Sequence, residues 1–310
     1  MIDGNGLGQV VATGSDRGSI YDLGYRRYEG RRLGRRHAVA SLVRESFRQS
    51  WGFGRPARAK VIPMGLFVVA LLPAIVALGI SALANQAGAP PGLGEAEPVR
   101  YENYYTLVAQ FVVLFAAAQA PELLGRDMRY RVLTLYFARA LRREDYALAK
   151  LGAFGLAMFL FLLLPQVVVF AGRVLVVPDI PASFQRDLPK LGPVLVQSLP
   201  TAVLLGSVAL AIASFTPRRM FATIGVFVAL VVPPGVVAVV LRIAGPEVAG
   251  PLSLLSPPNI LEGANAYFFG SPLVGQLDLG VPVEAYPIAG LVMAAAAIAV
   301  IVWRYRTIEP

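Results

Sequence analysis

The sequence predicts an all-α polytopic membrane protein with six transmembrane helices and both termini inside. Three observations predict it: six apolar stretches of spanning length, cations that fall on alternate loops, and 56% hydrophobic against 15% charged residues. The stretches are residues 61–85, 103–120, 151–172, 191–215, 220–241 and 286–303, and none contains Lys, Arg, Asp or Glu. Each is close to the roughly 20 residues an α-helix needs to cross a ~30 Å hydrocarbon layer at about 1.5 Å per residue.

The loops set the orientation. Of 28 Lys and Arg residues, 23 fall on the side that holds the termini: twelve in residues 1–60, seven in 121–150, then Arg218, Arg219, Arg304 and Arg306. The other side has Arg100, Arg173, Arg186, Lys190 and Arg242. Ten acidic residues accompany the first group and nine the second, so the net charge of +9 is spread over two unlike faces. An excess of cations marks the cytoplasmic side of a plasma membrane, which places both termini in the cytoplasm. A basic face beside anionic headgroups is favourable, so membrane lipid is the expected partner and nucleic acid is not. The absence of cysteine excludes disulfides, thiolate metal sites and cysteine nucleophiles. The first 60 residues lack the apolar core of a cleaved signal peptide, so the first span is expected to act as an uncleaved insertion signal.

Residues 1–37 read as a mobile basic tail, because a start rich in Gly and Ser buries too little surface to offset the entropy of ordering. Its YDLGYRRYEGRRLGRR segment at 21–36 fits a juxtamembrane lipid or partner contact better than an RNA patch. Residues 38–60 read as an amphipathic connecting helix and linker: Val39, Leu42, Val43, Phe47 and Trp51 recur at spacings of three and four, with Arg44, Glu45, Arg48 and Gln49 opposite. The helix is expected to lie along the inner membrane surface with Trp51 and Phe53 at headgroup level. Residues 61–310 form the six-helix domain.

The loop at 121–150, PELLGRDMRYRVLTLYFARALRREDYALAK, is too polar to enter a bilayer, yet it carries apolar anchors. It predicts an extension of the second span, a short interfacial helix around 136–146, and a third span entered after Lys150. Tyr136, Phe137, Arg139, Leu141, Arg142, Arg143, Glu144 and Asp145 form its candidate docking surface. A charge run of this kind is ordinarily a solvated face; its place between two spans favours docking.

These residues carry a resemblance. Pro121 to Gly152, preceded by an amphipathic helix before the first span, resembles the membrane subunit of an ABC-2 type ATP-binding-cassette exporter, in which a coupling helix similar to LTLYFARALRREDYALAKLGA leads into the third span. The chain departs from that pattern in having Ala140 where Pro is common, which leaves the start of the coupling helix open by a turn. The outer loop at 243–285 contains PLSLLSPPNILEGANAYFFGSP, too apolar for a freely solvated loop. It is similar to the short re-entrant outer helices that the family places between spans five and six; an ordinary cap packed on the spans is the alternative.

The chain has no G-x-x-x-x-G-K-[ST] loop to cradle nucleotide phosphates, and the glycines of GNGLG at 4–8 lack a following strand and helix. The chain is therefore expected to be no enzyme and to hold no cofactor, with ATP and Mg bound by separate ABC ATPase subunits. The resemblance implies two of those and a second permease subunit, identical or homologous, with export of an amphipathic, drug-like, lipid-linked or peptide cargo between the two permeases. Gln110, Phe111, Phe115 and Gln119 are candidate path residues, with Gln166 and Gln197 similar, although glutamines that bond neighbouring helices fit the same pattern. A membrane-embedded enzyme acting on lipid needs convergent carboxylates, a metal or a nucleophile with its base, whereas the single His37 has no acidic partner. An ion-coupled transporter is disfavoured because no predicted span carries a titratable relay, though Pro73, Pro165, Pro200, Pro233 and Pro234 allow the broken helices of that class.

Overall fold

Six helices in the computed structural model are long and apolar enough to cross a membrane: Ala57–Leu83, Tyr104–Arg129, Arg143–Val176, Ile180–Ala213, Arg219–Ala244 and Ala285–Thr307. Each coincides with one predicted stretch, and the chain is a multi-pass membrane protein. The structure describes Gly30 and residues 33–87, 101–138, 141–176, 179–273 and 279–308. All described helices belong to one compact unit, Gly34–Pro310. The predicted mobile tail and Arg139 lie almost wholly or wholly outside the described residues.

In chain order the helices are α1 (Gly34–Ser50), α2 (Ala57–Gln86), α3 (Tyr101–Arg129), α4 (Leu133–Phe137), α5 (Arg143–Val176), α6 (Ile180–Asp187), α7 (Leu191–Ala213), α8 (Arg219–Ala244), α9 (Pro246–Ser253), α10 (Pro257–Phe269) and α11 (Ala285–Thr307). A 3-10 turn, Leu188–Lys190, joins α6 to α7. The central layer is α3, α5 and α7, whose most apolar windows are 61%, 50% and 61% buried. The flanking α2, α8 and α11 are 17%, 17% and 22% buried, so most of their apolar surface is left for lipid. Helices in lipid gain little by hiding apolar atoms from one another, so close approach through small residues matters more. Ala70, Ala74 and Ala77 of α2 accordingly recur on one buried face.

Proline interrupts five of the six spans, at Pro63 and Pro73, Pro121, Pro165, Pro200, and the Pro233–Pro234 pair. Neighbouring hydroxyls and helices make such breaks tolerable in a membrane. Close to Pro73, and next to the Val69 carbonyl that this proline leaves without its helical donor, the Tyr104 hydroxyl of α3 donates to the Ala70 carbonyl at 2.5 Å.

The connecting helix departs from expectation at its end. α1 spans the predicted segment, but it packs on α5 and α3, with Leu42 buried and Val39, Val43 and Phe47 against the core. Trp51 is 5% exposed and lies inside the bundle, among the rings of Phe67, Phe115 and Phe161. The cause is a tight reversal: Gly52 has φ of 74°, and its N–H bonds the Gln49 carbonyl at 3.0 Å. The turn drives the indole inward, while Phe53 stays 41% exposed. A Cβ on Gly52 would meet the Ala59 carbonyl oxygen at 2.7 Å, as well as strain the backbone. Gly52→Ala is thus expected to destabilise by more than about 1 kcal/mol. A melting temperature unchanged from the parent in the same detergent would contradict this.

The 121–150 region also differs from its reading. α3 runs on to Arg129 as expected, but the short helix is Leu133–Phe137, not 136–146, and α5 begins at Arg143. The third span thus starts about two turns before Lys150. Glu144 and Asp145 stand in the first turn of α5, where carboxylates favour the positive end of the helix dipole, and the Asp145 carboxylate accepts the Arg142 N–H at 3.0 Å.

Candidate functional site

The basic end of the bundle is organised around the first two turns of α5. Asp145 holds Arg35 of α1 through a bidentate pair at 2.7 and 2.6 Å. Glu144 holds Arg306 of α11 at 2.7 Å, and Arg143 donates back to the Arg306 carbonyl at 2.8 Å. These pairs are exposed, so each contributes little alone. Their arrangement ties α1 and α11 to one helix start.

Beneath them the contacts are buried. The Tyr146 hydroxyl donates to Asp127 of α3 at 2.8 Å, and Lys150 Nζ meets the same carboxylate oxygen at 2.8 Å while also donating to the Leu123 carbonyl at 3.2 Å. Lys150 is 1% exposed. The Tyr146 ring lies 5.6 Å from Tyr136, 6.1 Å from Phe137 and 5.0 Å from Tyr305 of α11. α4 is therefore clamped by its two aromatic residues onto α5.

The candidate docking residues separate into two groups. Tyr136, Phe137 and buried Leu141 face inward, whereas Arg142 is exposed and Arg143, Glu144 and Asp145 are half-buried in their ion pairs. The outer side of the platform is Leu135, 67% exposed, with Tyr130 at 65%. A groove of about 550 Å³ runs between Gln49 of α1, Arg126 of α3, Tyr130 just beyond it, and Leu135 of α4. A second brace joins the linker to the other side of the bundle: Glu122 takes Arg55 at 2.9 Å and Arg219 at 3.4 Å. Burial holds the Arg55 guanidinium below its ordinary range, with Glu122 opposing.

The candidate path residues do not form one lining. Phe115 is fully buried among Trp51, Phe154 and Phe161, Gln119 is buried, Phe111 is half-buried and Gln110 is exposed. At about 100° per residue Gln110 and Gln119 stand roughly 180° apart, so they cannot share a face. Gln110 instead belongs to an exposed row on α3 with Leu107 and Leu114. That row borders a groove of about 520 Å³ between Val61, Ile62 and Leu66 of α2, Leu114 of α3, and Ile224 and Phe227 of α8. Gln166 and Gln197 are buried on the neighbouring helices α5 and α7; Gln166 Oε1 and Gln197 Nε2 have no hydrogen-bond partner among the described residues.

At the far end Asp187 is fully buried, with Arg173 and Lys190 each 3.0 Å away and Arg186 at 3.6 Å. The pair with Arg173 fastens α6 to the end of α5. Glu262 of α10 reaches the surface there, and crowding by protein raises its carboxyl above the usual range. The sequence alone does not display the pairings of Asp127, Lys150 and Glu122. Asp127 and Lys150 are 23 residues apart on different helices, so no local pattern links them. No protein-family model and no curated protein matches the chain.

Proposed function

We propose that the chain is the membrane-spanning permease subunit of an ATP-driven ABC-2 type exporter, with ATP and Mg held by separate ATPase subunits. What supports the reading is that α1 and α4, the elements facing away from the spans at the basic end, are both fixed to the start of α5. A displacement applied to either is thereby transmitted to α3 and α11 through Tyr146, Asp127 and Arg306. In this reading the basic end is cytoplasmic, the ATPase seats on Leu135, Arg142 and the α1–α4 groove, and α9 and α10 are re-entrant helices at the outer side. A second permease subunit, identical or homologous, faces the α2–α3–α8 groove, and an amphipathic cargo passes between the two.

Co-purification from the native membrane tests this, with a stoichiometric ATPase as the expected companion. Leu135→Asp with Arg142→Glu is expected to abolish that association and leave the melting temperature unchanged, because both side chains are exposed. Arg242→Glu, at the far end, is expected to leave it intact. Undiminished ATPase capture by the double variant removes the docking surface, and ion-gradient transport by the chain alone removes the exporter reading.

A further inference from the structure

The apolar groove between α2, α3 and α8 ends at a cluster of charge. Its walls include Ile62 and Gly65 of α2, Leu114 and Ala118 of α3, and Ile224 and Phe227 of α8. Ile62, Leu114, Ile224 and Phe227 are all exposed, so the groove is open along its length. At one end Glu122 stands one turn beyond Ala118 on α3. Its carboxylate takes Arg55 at 2.9 Å, just before α2, and Arg219 of α8 at 3.4 Å. These contacts fix the end of the groove by a bridge across its three walls.

Two more arginines stand at this mouth. Arg58 precedes Ile62 by four residues and Gly65 by seven, which places it on the groove side of α2. Arg219 likewise precedes the groove residue Thr223 by four, and Arg218 comes directly before α8. Arg58, Arg218 and Arg219 are exposed. Arg55, Arg58, Arg218 and Arg219 thus outnumber Glu122 at the mouth. α2 and α8 also both start here, so the positive ends of two helix dipoles add to the excess. Residues 1–33 carry five Arg against four acidic residues, so the tail has no net negative charge to set against it.

We propose that the groove is a binding site for one anionic phospholipid, with an acyl chain lying between α2 and α8 and the phosphate at Arg58 and Arg219. Apolar walls alone accept any acyl chain, so the guanidinium excess is what selects the head group. Arginine donates two parallel N–H bonds to a phosphate, and each cation beside an anionic head group is worth about fivefold in affinity. A zwitterionic head group brings its own ammonium into the same field and gains little. Arginine at the end of a span reaches head-group level along its apolar stem. A second copy of the chain is the poorer occupant: two copies related by an axis along the membrane normal bring their basic ends to the same depth, and like charge meets like. The site does not depend on the exporter reading; where a second permease subunit faces this groove, the lipid lies between the two.

The test is native mass spectrometry of the purified full chain in detergent, titrated with dioleoylphosphatidylglycerol or with dioleoylphosphatidylcholine. The expected result is one phosphatidylglycerol per chain, bound at least about tenfold more tightly than phosphatidylcholine. Arg58→Gln with Arg219→Gln is expected to abolish that preference. Gly65→Leu is expected to fill the groove and lower phosphatidylglycerol affinity at least about fivefold, and it folds because a Cβ there meets nothing within 4 Å. Glycerol phosphate, a head group without tails, is expected not to displace the lipid. Equal binding of the two lipids by the parent overturns the proposal, as does a preference that survives in the arginine variant or a phosphatidylglycerol affinity that survives in Gly65→Leu. Displacement by glycerol phosphate overturns it in favour of a soluble phosphate. A parent dimer that Gly65→Leu splits, with its lipid count unchanged, gives the groove to a second copy and overturns it also. If loss of the Arg219–Glu122 contact unfolds the arginine variant, Arg58→Gln alone decides, with a preference reduced about fivefold as the expected result. The assay needs no nucleotide, so absence of an ATPase partner removes the exporter reading without touching this result, and failed lipid selection leaves the co-purification test intact.

Discussion

Lys150→Met is expected to cost about 3–5 kcal/mol of stability, the range found when one member of a buried ion pair is removed. The deletion takes the ammonium from Asp127, which is 7% exposed and is left with the Tyr146 hydroxyl as its described donor. It also removes the donor to the Leu123 carbonyl. Solvent cannot replace either contact, because Tyr146 and Phe154 of α5 and Tyr305 of α11 are completely buried. The measurement is the melting temperature of purified protein in one detergent.

A second variant separates charge from packing. Asp127→Leu with Lys150→Met exchanges the pair for apolar groups of similar size, which in other proteins is often close to neutral. Recovery of most of the loss in the double variant is the expected outcome, with a coupling energy of about 2–3 kcal/mol. If the losses simply add, Asp127 and Lys150 act independently and the node at the start of α5 is not a unit. A Lys150→Met protein as stable as its parent would show that the ammonium is dispensable.

The six spans were legible because a run of about 20 apolar residues is a compositional signal that needs no partner. Helix starts were less so. Arg143, Glu144 and Asp145 were read as part of a docking helix because they are charged, yet acids in the first turn and an aspartate that accepts a backbone N–H are what begin α5. α6 was passed over within an outer loop, although Asp179 followed by Ile180 and Pro181 is a helix start that the sequence displays. The aromatic residues of the 121–150 segment, Tyr146 among them, are legible as apolar anchors, but that Tyr136 and Phe137 pack on Tyr146 is not. Pairing between distant residues was the part that could not be read: Asp127 with Lys150, Glu122 with Arg55 and Asp187 with Arg173 are products of how helices pack. That Gln110 and Gln119 stand on opposite sides of α3 was not legible, since the hydrophobic pattern around them gives no phase for a helix buried on most sides.

Trp51→Ala is expected to be the second large loss, again about 3–5 kcal/mol, as for a large aromatic residue removed from a packed interior. The indole stands 5.4 Å from Phe67 of α2, 5.5 Å from Phe115 of α3 and 6.2 Å from Phe161 of α5, so it is a ring shared by three spans just beyond the end of α1. The cost is the cavity left behind and its lost dispersion contacts, which matter in lipid as in water. Trp51 Nε1 has no hydrogen-bond partner among the described residues, so Trp51→Phe forfeits volume and no described polar contact, and is expected to cost only about 1–2 kcal/mol. A tryptophan lying at headgroup level would give a different series, with Ala nearly neutral. The same pair of variants bears on the exporter reading. α1 packs on α5 and α3 through Leu42, Val39, Val43 and Phe47, and Trp51, just beyond its end, extends that contact to Phe67 of α2; the Arg35–Asp145 pair is too exposed to carry force by itself. With an ATPase bound, Trp51→Ala is therefore expected to hydrolyse ATP without moving cargo, whereas Trp51→Phe keeps the two coupled. Full transport by Trp51→Ala at a temperature where it remains folded would show that α1 is an anchor and not a lever.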